Sequence, residues 1–340
     1  MTMQQFLLKG GRKSVRLSFI DSRGQCVLSA VPLIREGETI VSYPEKIWKT
    51  YSLKNAASDV EIENAVARGN LEKLRDPILM SLNLLNLANK KGDAYASVLK
   101  DRYYKDEKGN EHQHVLQWNL TQLEELKGTS VFESCMKRSV FWRDVYRRLG
   151  DVVDSEDEFL WSVSQVLSRA VSGKDRPFTF VPGLCCFNHS ENPNAHIYFN
   201  KNTFEIRASR DIDGVDNEIT ISYGENRSSA NFLTQYGFVP SLPTKNDVTP
   251  PIVVRNQTLT LPLLHGFEQT LQVLRRTLES SVGFRDEFRK ACLYSIQNIK
   301  GTAEGDASLL KDTNISSSKR FAVMLRSRER SILLKYYDGV

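Results

Sequence analysis

Apolar and polar positions alternate through three short runs near the start of the chain, "VRLSFID", "CVLSAVPL" and "ETIVSYP", separated by "SRGQ" and "IREG". A period of two between turn residues predicts short strands over residues 14 to 45, with Gly24 and Gly37 in the turns. From about residue 57 to 173 the apolar spacing lengthens to three and four. "EIENAVARGNLEKLRDPILMSLNLLNLANKKG", "LTQLEELKG", "SVFWRDVYRRLG" and "SEDEFLWSVSQVLSRAV" therefore read as amphipathic helices. The last opens with Ser155 three residues before Glu158, a capping-box pattern, and carries Arg169 near its end. Alternation resumes in "FTFVPGLCCF", "AHIYFN", "TFEIRAS" and "NEITISYG", so a helical block divides one set of strands. The Pro-rich "GFVPSLPTKNDVTPP" reads as a linker. Two short strands, Ile252 to Val254 and Thr258 to Leu261, then lead into helices. The final helix places Phe321, Leu325, Ile332 and Tyr336 on one side and basic residues on the other.

Composition narrows the class. With 340 residues, 40% hydrophobic and 26% charged, the chain has the make-up of a globular protein and the length for two cores. No segment approaches the roughly 20 apolar residues of a membrane span, and the N-terminal segment lacks the apolar core of a secretion signal. Five cysteines, an odd number, point to free thiols in a reducing compartment. Cytoplasm or nucleus is the expectation, with an organelle left open. The net charge of +5 is small for this length and does not ask for a nucleic-acid partner.

Candidate chemistry concentrates in "LCCFNHSENPNAHIYFN", Leu184 to Asn200. Cys185, Cys186, His189 and His196 invite a zinc reading, but the paired Cys-x2-4-Cys spacing of structural zinc sites is absent. A cysteine nucleophile working with His189 is a further possibility, against the common use of buried cysteine as an apolar filler. Asn192 and Asn194, around Pro193, are expected to make a turn. "HQH" at His112 to His114 reads as a solvated loop, and Gly10 and Gly11 as a turn. Thirty residues after "FNHSENPN", the run "NEITISYGENRSSANFLTQYGFVP" holds a strand ending at Tyr223-Gly224 and a second Tyr-Gly-Phe at Tyr236 to Phe238.

Together these two runs resemble the SET domain of protein methyltransferases, in the branch typified by Rubisco large-subunit lysine methyltransferase. "IREGETIVSYPEKIWKT", "FLWSVSQVLSRAV", "TAEGDASLLKD" and "SSSKRFAVMLRSRERSIL" are similar to successive segments of that branch. The resemblance implies an α+β fold: a SET domain over residues 1–245 with a helical insert at about 57–155, then a helical substrate-binding domain over 246–340. It implies S-adenosylmethionine as cofactor, contacted by Cys26, Leu28, Arg169, Asn188, His189, Tyr223 and Phe238. Tyr223 is implied as the catalytic residue, and Tyr236 and Cys185 as substrate contacts. No metal is implied. The chain departs from the family in two places. Gln25, Cys26 and Val27 interrupt the usual Gly-x-Gly-Leu-x-Ala, and Cys185 stands where an aspartate is usual.

The expected reaction is methylation of a lysine side chain in a protein substrate by a monomeric enzyme that requires neither nucleic acid nor membrane. The alternatives are a protein-histidine methyltransferase of the same fold, or a SET-like protein that binds a partner without catalysis. The family's histidine enzymes carry an asparagine shortly after the helix-ending arginine. Here Arg169 is followed by "AVSG".

Overall fold

A computed structural model describes residues 3–9, 14–20, 24–89, 92–102, 113–263, 266–280 and 283–340. The expected turn at Gly10-Gly11 and the side chain of His112 lie outside these residues. By its contacts the chain divides into two compact units, residues 1–111 with 143–225, and residues 112–142 with 226–340. The second unit thus takes in part of the central helical block, and position 245/246 falls inside it.

The first unit is built from small sheets around a helical layer. The antiparallel hairpin Val15–Ile20 and Gly24–Ser29 runs in continuous register. Thr39–Pro44, Thr203–Ala208 and Ala195–Asn200 form a three-stranded antiparallel sheet with Thr203–Ala208 in the centre. Its inward face follows the sequence alternation, with Phe204, Ile206 and Ala208 buried. The helices that divide these strands lie between Glu45 and Arg169. Arg75–Asn89 is buried almost all round, as its apolar spacing requires, and it packs along Glu156–Arg169. Ser155 caps the latter by accepting from the Glu158 amide at 3.4 Å, but the capping box is not completed. The Glu158 carboxylate instead takes Lys100 and Asn89 Nδ2, because a cation offers it more than a backbone amide does.

The second unit has two apolar clusters. One gathers Ile252, Val254, Phe288, Ile332 and Tyr336, and the other gathers Trp118, Leu126, Leu233, Leu325 and Phe321. The helix Ser317–Gly339 serves both with the four apolar residues its periodicity marked. Part of its basic side is buried. Arg326, Glu329 and Arg330 are 2–4% exposed. Arg326 and Arg330 reach Asp306 at 2.6 and 2.5 Å, and Arg326 also reaches Glu125 at 2.8 Å. Such burial is tolerable only because each guanidinium meets a carboxylate. The strands here are Ile252–Val254, as expected, and Gln257–Leu259, shifted towards the N-terminus.

Two loop expectations also change. The Pro-rich stretch is pinned by Asp247, whose carboxylate accepts from the amides and hydroxyls of both Ser229 and Thr244 at 2.5–3.1 Å. His114 is 6% exposed and packs against Gly237, where a Cβ would lie 3.1 Å from His114 Cα. A glycine with φ +81 ends the helix Ser229–Tyr236 there and also allows this close approach.

Candidate functional site

"LCCF" does not continue the strand predicted for it. Gly183, at φ +92, turns the chain into a single 3-10 turn, Leu184–Cys186, before Asn188–His189 resumes as a strand. A side chain at 183 would meet Tyr43 Oη at 2.6 Å and Leu7 Cα at 3.0 Å, so the turn is fixed by what lies behind it.

Asn188–His189 pairs in parallel with Thr220–Ile221, Asn188 opposite Thr220 and His189 opposite Ile221. This pairing carries Tyr223 to the imidazole. Its amide donates to His189 Nδ1 at 3.2 Å, its hydroxyl donates to the Phe187 carbonyl at 2.8 Å, and the two rings lie 5.5 Å apart. Nδ1 accepts, so the neutral ring carries its proton on Nε2, which faces Glu191 Oε1 at 3.4 Å. A phenol whose hydrogen is spent on a carbonyl acts towards a further group as an acceptor.

The strand Gly24–Ser29 closes the site on another side. Leu28 bridges to Glu218, and the Ile219 amide donates to Val27 O at 2.8 Å. Cys26 is fully buried and Leu28 is 9% exposed. Asn188 Nδ2 donates to Glu218 Oε1 at 3.0 Å. Asn194 does more than turn the chain: its Nδ2 donates to Glu218 O at 2.9 Å and its Oδ1 accepts from the Thr220 amide at 2.8 Å.

Arg169 ends its helix with Nε on Gln165 Oε1 at 2.7 Å and Nη1 on Cys185 O at 3.4 Å. Both printed contacts hold the guanidinium towards the Leu184–Cys186 turn. The half-buried Cys185 thiol lies 3.5 Å from the Tyr95 hydroxyl. The Cys186 thiol bonds to it, and with the Arg169 charge, the Tyr95 hydroxyl and the Gly183 backbone this outweighs burial and pushes it down to about 6.

Seven of the nine nominated residues, Cys26, Leu28, Arg169, Cys185, Asn188, His189 and Tyr223, thus fall in one connected region of the first unit. Tyr236 and Phe238 belong to the second. There they form an aromatic group with Phe232, ring centroids 5.4–6.4 Å apart, and Arg227 lies 5.3 Å above Tyr236. Burial raises the Tyr236 hydroxyl and Arg227 pulls it back. Glu218, Asn194 and Tyr95 were not foreseen. The polarity of Glu218 and Asn194 was visible in "NEITIS" and "NPN", but their pairing spans 24 residues.

A family model described as "SET domain" matches residues 25–224, more than half of the chain. A "SET domain-containing protein 8" of Schizosaccharomyces pombe (strain 972 / ATCC 24843) is 31% identical over 131 residues, 36% of this chain. That match spans only 30% of the relative's own length. Among solved structures, the SET domain of LSMT bound to lysine and AdoHcy superposes with a TM-score of 0.68 at 16% identity. It covers 98% of this chain and 89% of that one. Rubisco LSMT bound to AdoMet gives 0.68 at 17% identity, over 99% and 90%. At these identities the likeness is one of fold.

Proposed function

The chain belongs to the SET domain family, and from that premise we propose that it is an S-adenosylmethionine-dependent methyltransferase acting on a lysine side chain of a protein. The observation that carries this reading is the triple attachment of Tyr223 to the Phe187–His189 segment by amide, hydroxyl and ring. An acceptor-only phenol oxygen is thereby fixed beside an amide and a neutral imidazole.

The donor set fits the cofactor. Arg169 offers a guanidinium to a carboxylate, and Asn188 with His189 offers amide and backbone groups to a nucleoside. The backbone of Leu28 bridges to Glu218, whose carboxylate accepts from Asn188. S-adenosylmethionine, bound there, supplies a sulfonium methyl group open to in-line attack. The two solved structures above are of proteins bound to AdoMet, or to lysine and AdoHcy, on the same fold.

The protein's own task is alignment and exclusion of water. A free lysine near pKa 10.4 is protonated at pH 7, a deficit of about 5 kcal/mol. Desolvation in an apolar channel can lower it by roughly 3 to 5 units. Tyr223 supports this with an apolar ring face and with an oxygen that accepts an N–H of the uncharged amine, orienting its lone pair.

Incubating a cell lysate with radiolabelled cofactor tests the reading. Wild type should label a protein, and Tyr223→Phe should label it at least tenfold more slowly while retaining cofactor binding by calorimetry. Acid hydrolysis of the labelled protein should yield methyl-lysine. Methyl-histidine would replace the proposed acceptor, and the absence of both transfer and binding heat in wild type would refute the enzyme.

A further inference from the structure

Cys185 and Cys186 are adjacent thiols in one 3-10 turn, and the turn exposes them unequally. Cys26, Cys135, Cys186 and Cys292 are at most 4% exposed, whereas Cys185 is half-buried. A small reagent in solution therefore reaches one sulfur of the pair. The groups around that sulfur suit an anion. They are the Cys186 thiol, the Arg169 guanidinium and the Tyr95 hydroxyl, which stands 3.5 Å from Sγ, and the buried Tyr43 phenol is within electrostatic reach of both thiols. Thiolate character combined with access is what makes a cysteine reactive towards peroxides.

The same turn is tied to Tyr223. The Cys186 amide donates to Gly183 O and the Phe187 amide to Leu184 O, each at 3.2 Å, and the Phe187 carbonyl accepts the Tyr223 hydroxyl at 2.8 Å. Arg169 Nη1 meets the Cys185 carbonyl at 3.4 Å. Tyr95 cannot retreat from the sulfur. It is fully buried between Phe6 and Tyr51, whose ring centroids lie 5.4 and 5.1 Å from its own. An oxygen added to Cys185, with the change of charge it brings, is therefore accommodated by the turn, and the turn carries the carbonyl that holds the phenol.

We propose that Cys185 is a site of reversible oxidation by a hydroperoxide, and that oxidation there switches off methyl transfer. The thiolate attacks one oxygen of hydrogen peroxide. An S–O bond forms as the O–O bond breaks, leaving a sulfenic acid and hydroxide, so the sulfur gives up the two electrons that the peroxide takes. A low-molecular-weight thiol then displaces water to form a mixed disulfide. A second such thiol releases Cys185 as the thiol and leaves as the small disulfide. The switch deepens the methyltransferase reading and rests on it.

The whole chain is treated with limiting hydrogen peroxide at about pH 6, where ordinary thiols are protonated. Sulfenic acid is trapped with dimedone and mapped by mass spectrometry, and methyl transfer to the lysate substrate is measured on a parallel sample after the peroxide is removed. Cys185 should carry the adduct, with each of the other cysteines labelled about tenfold less. Transfer should fall by about fivefold or more in step with Cys185 oxidation and return on treatment with dithiothreitol. Cys186→Ala removes the first donor to Cys185 and should slow its labelling at pH 6 by about fivefold or more, with untreated transfer within about twofold of wild type. Tyr95→Phe keeps the ring packing, removes the hydroxyl and should slow labelling by about twofold, a comparison that does not depend on how Cys186→Ala folds. Labelling spread evenly over the cysteines, or an unchanged rate in both variants, overturns the proposal. If untreated wild type transfers no methyl group, the methyltransferase reading falls and the switch with it. If it transfers and continues at full rate with Cys185 oxidised, only the switch falls.

Discussion

Cys185 should behave as a thiolate at a pH where other cysteines are protonated. Its acidity comes first from the Cys186 thiol, then from the Arg169 guanidinium and the Tyr95 hydroxyl, and together these bring it from 9.0 to about 6. At pH 6 about half of Cys185 is then thiolate, against about 0.1% of an ordinary thiol of pKa 9, a gain of roughly 500-fold. A thiolate of lower pKa is a weaker nucleophile. With a Brønsted slope of about 0.4–0.5 over three units, roughly 20-fold is lost. The net advantage is about 25-fold at pH 6 but only about twofold at pH 7.4, so a comparison at neutral pH alone would miss it. The assay is alkylation by limiting iodoacetamide between pH 5 and 9, with peptide mapping by mass spectrometry. The Cys185 rate should rise to a plateau with a midpoint near 6, while Cys135 and Cys292, which burial pushes up to about 12, remain unlabelled. Cys186→Ala should move the midpoint up further than Arg169→Gln, following the order of the two causes. A rate that climbs about tenfold per pH unit through pH 8, as for a free thiol, would refute the argument.

Three further outcomes follow from buried groups. Burial raises Glu329 from 4.5 to about 8, and its like-charged neighbour Asp247 adds to this, against the Ser130 amide and hydroxyl, which donate at 2.8 and 2.5 Å. Between those two values the folded state holds one proton more than the unfolded chain, so stability falls as pH rises. Glu329→Gln should be neutral below pH 4 and stabilising by up to about 4 kcal/mol at pH 7.5 in urea denaturation, and equal effects at both pH values would count against it. Asp306→Ala leaves Arg326 and Arg330 buried without their shared carboxylate and should cost about 3–5 kcal/mol, so a loss under about 1 kcal/mol would contradict the network. Gly183→Ala forces a Cβ against Tyr43 and Leu7 at positive φ and should cost about 2 kcal/mol or more in the same assay. It should also blunt the selective alkylation of Cys185, and a stable variant with an unaltered labelling profile would show that the turn tolerates a side chain.

Local pattern set much of the architecture. The alternation in "ETIVSYP" and "TFEIRAS" marked strands that pair with one another, because a sheet with one buried face needs a period of two. The three-to-four spacing of "EFLWSVSQVLSRA" marked a helix that ends at Arg169, because one stripe must face the core. The residue types of the candidate site were also legible. Asn188, His189 and Tyr223 stand out by chemistry alone, and the order of segments was enough to suggest the family.

Relations between distant polar groups were decided by the folded chain. "LCCF" alternates like a strand, yet Gly183 makes it a 3-10 turn, because Leu7 and Tyr43 occupy the space behind it. Arg326 and Arg330 look like a solvated face until Asp306 and Glu125 are brought to them. The Asn188–Glu218 bond and the attachment of Tyr223 to His189 join residues 30 and 34 positions apart, through a parallel pairing that no local period records. Hydrophobic periodicity reports which face of an element is buried, whereas hydrogen-bond partners depend on which elements meet and in what register. The sequence therefore determined the strands, the helices and the chemical cast of the site, and tertiary structure alone determined which amide, carboxylate and phenol face one another.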